Sequence, residues 1–270
     1  MIRIGHHTGK AWDYPNFADG SNGSSVQIAN ALVKLLDGPA IKGQLPPQVL
    51  GDGFERCTAE FIEKAFSLLQ HLRPGRWCYS TSAAIADFDQ YEHLANLADR
   101  ITRDKELASA LGSDYIITPD IVIGRWAVSD DEINHNGPVL DSTQTIARHA
   151  PLRQANYPTP RKLLHASISC KWSIRSDRVQ NSRTEALNLI RNRKGSLPHV
   201  VAVTAEPLPT RIASLALGTG DMDCVYHFAL TELQAAIEQV GNIDQQDMLA
   251  TLVEGRRLRD IADLPLDLAV

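Results

Sequence analysis

The chain has 270 residues and a formal net charge of −5. That length, with 43% hydrophobic and 22% charged residues, is enough to bury the core of one sizeable domain, and we expect residues 1–270 to form a single domain. The acidic total excludes binding of a polyanion through overall charge. Any nucleic-acid surface must therefore be a local concentration of Lys and Arg.

Cysteine usage and hydropathy exclude further classes of protein. The four cysteines are scattered and form no Cys-x-x-Cys pair, which argues against a disulfide framework and a structural zinc site. No stretch approaches the roughly 18 continuous apolar residues of a membrane span, and residues 1–10 lack the apolar segment of a signal peptide. We therefore expect a cytoplasmic protein that is not embedded in a membrane.

Residues 1–111 predict an N-terminal arm followed by helices. An amphipathic segment at 25–37 predicts a helix that begins at a serine and ends before Gly38. Apolar residues recur close to every 3.6 positions in 54–70, which predicts a second helix. A third helix is expected at 90–111.

Residues 112–230 alternate between strand and helix patterns and predict the core of the fold. A β-branched strand at 114–123 contains Pro119, which indicates a bulge or a sheet edge. Turn formers crowd 124–160, which predicts a long functional loop. The other predicted elements are a strand at 163–171, a helix at 182–193, strands at 199–204 and 224–229, and a helix at 231–240 that Thr231 can cap. We expect an α/β fold with a central mixed β-sheet flanked by helices, and C-terminal helices over 231–270.

Three side chains of this core can act together on a phosphate ester. Asp120 follows the proline of the first predicted strand, Lys171 ends the strand at 163–171, and Glu185 lies near the start of the next helix. A metal-dependent nuclease needs oxygen ligands for Mg²⁺ and a cation that orients the attacking water. Asp120 and Glu185 are the candidate ligands and Lys171 is the candidate cation. The backbone carbonyl of Cys170 is a further candidate ligand.

The same residues also fit ordinary structural roles. Asp120 can end a strand, Lys171 can be a solvated surface lysine, and Glu185 can stabilise a helix N-terminus through the helix dipole. The spacing of these residues alone does not separate the two interpretations.

A basic segment beside Lys171 favours a nucleic-acid partner. Residues 171–194 carry seven Lys or Arg and two acids, a local net charge of +5. A solvated helix face is the ordinary explanation of such a run, but Arg175, Asp177 and Arg178 lie ahead of the predicted helix, where their side chains can project together. Arg donates to guanine and Asp accepts from cytosine N4, so this pattern predicts reading of G·C pairs in the major groove.

The chain as a whole resembles the type II restriction endonucleases that recognise CCGG, within the PD-(D/E)xK nuclease superfamily. The resemblance covers nearly the whole chain and is weakest in 1–10 and 124–160. The matching segments are TPD at 118–120, SCKWSIRSDR at 169–178 with Glu185, RNRKGSLPHV at 191–200, TAEP at 204–207, LGTGD at 217–221, CVYHFAL at 224–230 and the final DLPLDLAV.

The resemblance implies a restriction-endonuclease-like fold and a role for each matching position. Such enzymes usually carry an acid two residues before the lysine, and that position here is Ser169, so the carboxylate must come from elsewhere. The implied catalytic residues are Asp120, Lys171, Glu185 and Glu55, with Mg²⁺ held by Asp120, Glu185 and the Cys170 carbonyl. The implied readers of CCGG are Arg175, Asp177 and Arg178, and the positions of the remaining base contacts are Asp19, Ser21, Gln48 and Arg211.

These matches imply the target GCCGGC, cut before the first C of CCGG to leave four-base 5′ overhangs with 5′-phosphates. A palindromic site needs at least a homodimer, because each subunit reads one half-site. The resemblance implies a homotetramer, whose second interface can come from the 229–240 helix or the 124–160 segment. A host DNA methyltransferase is the implied partner enzyme.

Two other functions remain open. A noncatalytic DNA-binding protein would use the same basic segment, although carboxylates that face phosphates repel them unless a metal intervenes. A nonspecific repair nuclease on the same scaffold is disfavoured by the number of matching base-reading positions.

Overall fold

The computed structural model describes residues 2–6, 13–38, 41–43, 45–106, 109, 117–141, 143, 146–174, 176–218 and 220–270, with the backbone alone for 176–179. A small sheet forms near the N-terminus, where β1 (Arg3–His6) pairs antiparallel with β2 (Asp13–Pro15) and parallel with β3 (Ile41–Lys42). Helix α1 (Gly23–Leu35) begins where the Asn22 side chain accepts a hydrogen bond from the peptide N–H of Ser25. This satisfies one of the free N–H groups at a helix start.

Helix α2 (Pro47–Ser67) begins earlier than the predicted helix at 54–70. Proline suits the first helical position, where the missing N–H would have no partner. The helix continues through Gly51 and Gly53, although glycine weakens a helix by about 1 kcal/mol relative to alanine. Burial offsets this weakness, since Leu50, Phe54 and Ile62 on one face all lie in the core.

The centre of the fold, within the described residues, is a six-stranded mixed sheet. Its strands lie side by side in chain order: β4 (Trp77–Ser80), β5 (Ile121–Arg125), β6 (Leu163–Lys171), β7 (His199–Thr204), β8 (Cys224–His227) and β9 (Leu258–Asp260). The first three are antiparallel neighbours, and β6 to β9 run parallel. This confirms the predicted α/β fold and the strands predicted at 163–171 and 199–204.

Helices cover this sheet. Beyond α1 and α2 they are α3 (Glu92–Arg103), α4 (Asp130–Ile133), α5 (Ser176–Asn192), α6 (Pro209–Ala216), α7 (Leu230–Val240), α8 (Ile243–Glu254) and α9 (Leu264–Asp267). A continuous core of buried apolar side chains joins them to the strands. No helix in the described part of the chain is long and apolar enough to cross a membrane.

Strand β5 corrects the predicted strand at 114–123. It begins at Ile121, so Pro119 lies outside the ladder and forms neither a bulge nor an edge position. The strand is internal, between β4 and β6, and its irregularity falls at Ile123 and Gly124. A Cβ at Gly124 would meet the Phe88 ring at 2.7 Å, so glycine is required there. Residues 114–116 lie outside the described residues.

Two predicted helix starts are also wrong. Helix α5 begins at Ser176 rather than near 182, with Ser and Asp in its first turn, where both residue types are favourable. Helix α7 begins at Leu230, so Thr231 is inside its first turn and does not cap it. Instead the Asp260 side chain accepts the Leu230 N–H at 2.8 Å. That acceptor comes from β9, which no local pattern in the sequence indicated.

The segment at 124–160, predicted as a loop, contains its own ordered contacts. Arg153 is buried and donates two hydrogen bonds to Asp130, of 2.7 and 2.6 Å. Ser129 and Glu132 form a reciprocal cap at the start of α4. The Arg153 contacts hold the early part of the segment against its later part.

Candidate active site

The sheet topology brings the start of β5 beside the end of β6. Because these strands are antiparallel, Asp120, just before β5, lies next to Cys170 and Lys171. Oδ2 of Asp120 accepts the peptide N–H of Cys170 at 2.7 Å and the Lys171 ammonium at 2.9 Å. The two side chains retain 33% and 18% exposure, so the pair remains reachable by solvent and ligand.

Helices α2 and α5 close a cleft of about 280 Å³ around this pair. From α2 come Gln48, Asp52 and Glu55, which lie on one helix face because they are four and three residues apart. From α5 come Asn181, Ser182 and Glu185. The structure therefore places all four predicted catalytic side chains, Asp120, Lys171, Glu185 and Glu55, on the wall of one cleft.

Negative charge accumulates in this cleft. Burial raises the pKa of Glu55 to about 6, and the neighbouring Asp120 and Asp52 carboxylates add to the rise against the attraction of Lys171. Burial also raises the pKa of Glu185, with Lys171 opposing the rise and Asp120 adding to it. The carboxylates that line the cleft outnumber its lysine, so an added cation would relieve their mutual repulsion.

The predicted metal ligand at Cys170 is its backbone carbonyl, because its thiol stays protonated. The carbonyl of Lys171 faces β7, where it accepts the Ala205 N–H at 3.2 Å and the Thr204 hydroxyl at 2.8 Å. Successive peptide groups of a strand face opposite sides, so the Cys170 carbonyl faces the Asp120 side. Burial raises the pKa of the Cys170 thiol far above its usual range, which leaves it protonated.

The donor set suits a hard divalent cation. Among the described residues, no three His, Cys, Asp or Glu side chains cluster closely enough to form a metal site by themselves. The predicted set of Asp120, Glu185 and the Cys170 carbonyl instead combines two carboxylates with a backbone oxygen. Oxygen donors of these two kinds are the ligands that Mg²⁺ accepts, and Mg²⁺ completes its shell with water and substrate.

A second group of predicted residues is centred on Asp19, which lines a neighbouring groove. Asp19 accepts hydrogen bonds from the Ser21 N–H and hydroxyl, at 2.9 and 2.6 Å, and forms an ion pair with Arg211. Burial alone would raise the pKa of Asp19, but the hydrogen bonds from Ser21 and Arg211 lower it to about 2. Asp19 lines a groove of about 300 Å³ that shares Gly51 and Cys170 with the cleft.

The predicted readers of CCGG are placed only in part. Arg175 lies outside the described residues. Asp177 and Arg178 lie in the first turn of α5, not ahead of a helix as predicted, and their side chains are outside the description. Gln48 lines the cleft itself, and its amide donates to Asp52 at 2.8 Å.

Aromatic packing fixes the end of β6 against α2. Trp172, which follows Lys171, is buried. The centroid of its ring lies 5.7 Å from that of Phe17 and 5.2 Å from that of Phe54. Phe54 is adjacent in sequence to Glu55, so this contact sets the distance between the two walls of the cleft.

Sequence reasoning missed Asp52. Its spacing from Gln48 and Glu55 is the signal that identifies it, but that signal needs α2 to begin at Pro47. The predicted start at residue 54 left Asp52 outside the helix.

Comparison with known proteins decides the family. The sequence model of the family described as "NgoMIV restriction enzyme" matches residues 2–270. The chain belongs to the NgoMIV restriction enzyme family. Type II restriction enzyme NgoMIV of Neisseria gonorrhoeae is 52% identical over 258 residues, which cover 94% of this chain and 89% of that protein.

Membership of the NgoMIV family confirms the predicted enzyme class, a type II restriction endonuclease that hydrolyses DNA. A solved structure titled "Crystal structure of Type IIF restriction endonuclease Bse634I with cognate DNA" matches at 13% identity with a TM-score of 0.39, over 100% of this chain and 97% of that one.

Proposed function

We propose that this enzyme hydrolyses double-stranded DNA at GCCGGC in the presence of Mg²⁺. It cuts before the first C of the CCGG core and leaves four-base 5′ overhangs with 5′-phosphates. The observation that carries the proposal is the convergence of Asp120, Lys171, Glu185 and Glu55 on one cleft.

In this proposal Asp120, Glu185 and the Cys170 carbonyl hold the metal ion. Glu55 supports the site from α2 as a further carboxylate. When bound, Mg²⁺ would supply positive charge beside the scissile phosphate and so stabilise the negative charge that develops during hydrolysis. The excess of carboxylates in the cleft supports this assignment, because a phosphate would otherwise be repelled.

Lys171 supplies a second positive charge to the cleft, from a side chain of the protein rather than from the metal ion. Its ammonium already donates to Asp120 at 2.9 Å, which fixes the direction of the side chain. An ammonium so held can donate to the attacking water and stabilise the hydroxide that forms from it. The ordered Asp120 contact keeps the group in place before DNA arrives.

Base reading is divided between two groups of residues, and the second group comes from three parts of the chain. Arg175, Asp177 and Arg178 read the CCGG core, and Asp19, Ser21, Gln48 and Arg211 read the outer pair. The ion pair between Asp19 and Arg211 supports the second part, since a carboxylate beside a guanidinium matches a G·C pair. Cytosine offers the N4 donor, and guanine offers the O6 and N7 acceptors.

The palindromic target requires at least a homodimer, and we propose a homotetramer in which two dimers act on two sites. The second interface comes from the segment at 124–160 or the helix at 229–240. The enzyme acts in the cytoplasm, where a DNA methyltransferase protects the host copy of GCCGGC.

A plasmid digest tests this function. A plasmid with two GCCGGC sites and a matched plasmid with ACCGGT in both places are incubated with the enzyme in MgCl₂, and the ends are sequenced. We expect cleavage of the first plasmid alone, with CCGG overhangs. Intact DNA in the presence of folded protein, or cleavage of both plasmids, would contradict the proposal. Retarded but uncut DNA would indicate a noncatalytic binding protein.

A further inference from the structure

A carboxylate outside the cleft lies between the two proposed reading segments. Glu206 follows the end of β7 and is 0% exposed. Its Oε2 accepts the peptide N–H of Ile174 at 2.8 Å, and its Oε1 accepts the peptide N–H of Leu208 at 3.3 Å. Each oxygen therefore holds a different part of the backbone.

Each of these backbone contacts lies just before a segment that carries proposed base-reading residues. Ile174 immediately precedes Arg175 and the first turn of α5. Leu208 is the N-cap residue of α6, the helix that carries Arg211. One buried side chain thus connects the segment assigned to the CCGG core with α6, which carries Arg211, one of the residues assigned to the outer base pair.

The same turn is also tied to the catalytic strand. The Thr204 hydroxyl donates to the Lys171 carbonyl at 2.8 Å and accepts the Glu206 N–H at 3.1 Å. The position of Glu206 is therefore fixed relative to the end of β6, from which Lys171 enters the cleft.

We propose that Glu206 is a positioning residue that holds the two base-reading segments in one arrangement, so that the inner and outer base pairs are read as a unit. The inference rests on the proposed function for the roles of Arg175, Asp177, Arg178 and Arg211. Glu206 does not line the cleft and touches no reacting atom in this account.

The energetics of burial support a role beyond packing. An isolated buried carboxylate is unfavourable, and an apolar side chain of similar size would fill the same space without that penalty. Burial raises the pKa of Glu206 to about 7, while the Ile174 N–H, the Arg211 charge and the Leu208 N–H oppose the rise. What the carboxyl provides, and an apolar group cannot, is two acceptors for two separate backbone segments.

Glu206→Gln tests the proposal, because its single carbonyl oxygen can accept from only one of the two N–H groups. Cleavage is measured as kcat/KM on GCCGGC, on ACCGGC with an altered outer pair, and on GCTGGC with an altered inner pair. We expect the preference for GCCGGC to fall about tenfold against both altered sites, the effect of losing about one buried hydrogen bond. Arg211→Ala should reduce the preference against ACCGGC alone.

Leu264→Ala is the control for lost stability, because Leu264 is fully buried in the short C-terminal helix and lies in neither reading segment. We expect it to keep the wild-type preference at both sites. Glu206→Asp, which withdraws the carboxylate by one methylene, provides a second variant should the glutamine variant fold poorly. It should relax both preferences in the same direction.

The results show separately whether the positioning role of Glu206 fails and whether the proposed cleavage function fails. Wild-type preference in a folded Glu206 variant overturns the positioning role, as does relaxation at one site alone or equal relaxation in Leu264→Ala. These results leave the proposed function intact, because wild-type enzyme still cuts GCCGGC. Failure of wild-type enzyme to cut GCCGGC overturns both proposals.

Discussion

The ionisation of Glu206 makes the stability of this protein depend on pH in a measurable way. Burial raises the pKa of this carboxyl from its ordinary 4.5 to about 7. The folded protein then binds the proton more tightly than the unfolded chain. The stabilisation from this group is complete below pH 4.5 and is lost as the pH rises through about 7. The difference between the two pKa values corresponds to roughly 3 kcal/mol of unfolding free energy.

Glutamine has nearly the same shape as glutamate but does not ionise. The Glu206→Gln variant therefore does not lose stability in this way as the pH rises. We expect its unfolding free energy to increase, relative to that of wild type, by roughly 3 kcal/mol as the pH rises from about 4.5 to about 8. A constant offset is also expected, because the amide NH₂ must face one backbone N–H. The assay is urea unfolding followed by circular dichroism across this pH range.

Other titrating groups cancel in this comparison. Burial lowers the pKa of His165 and of His227 to about 4, which reduces stability as the pH falls from about 6.5 toward 4. Both histidines are present in wild type and variant. A difference between the two proteins that stays flat over the whole range would refute the reasoning, since it would mean that the folded state does not raise the pKa of Glu206.

Three further changes test other parts of the account. Trp172→Ala should lower the unfolding free energy by about 3–5 kcal/mol in urea, whereas Trp126→Ala, at a residue 39% exposed, should lower it by less than about 1 kcal/mol. Glu55→Gln should reduce single-turnover cleavage by roughly 10- to 100-fold with folding unchanged, as for a supporting carboxylate at a metal site, and a wild-type rate would exclude that role. Asp19→Ala and Arg211→Ala should each reduce discrimination at the outer base pair by about 1–3 kcal/mol, and the double variant should show less than the sum. Strict additivity in cleavage assays would mean that the pair does not read as a unit.

Strong local patterns made parts of the fold predictable. Apolar and polar residues alternate in the sequence of β6 from Ala166 onward, and β7 is a short buried run rich in β-branched residues, so both strands were predicted with their observed bounds. Strands β4 and β9 were missed because they have four and three residues with few buried positions. Their strand conformation depends on pairing with β5 and β8, which come from distant parts of the chain.

The residues of the candidate site also differ in how far the sequence predicts them. Lys171 ends a strand whose bounds were predicted, whereas the start of β5 after Asp120 and the start of α5 before Glu185 were both predicted wrongly. The chemistry of the three side chains, two carboxylates and one ammonium, grouped them without exact element ends. Glu55 came from the resemblance alone. Glu206 had no local signal, because the burial of a carboxyl is decided by the segments that pack around it and not by its neighbours in sequence.

Single-turnover cleavage by Lys171→Ala tests the central claim most directly. Wild type and variant are compared on a GCCGGC duplex in MgCl₂, with binding to the same duplex measured in CaCl₂. We predict that the variant loses cleavage and retains specific binding within a few-fold of wild type, because the lysine acts on the reacting water and reads no base. A variant that still cuts, or one that loses binding as fully as cleavage, would contradict the assignment of the cleft as the active site.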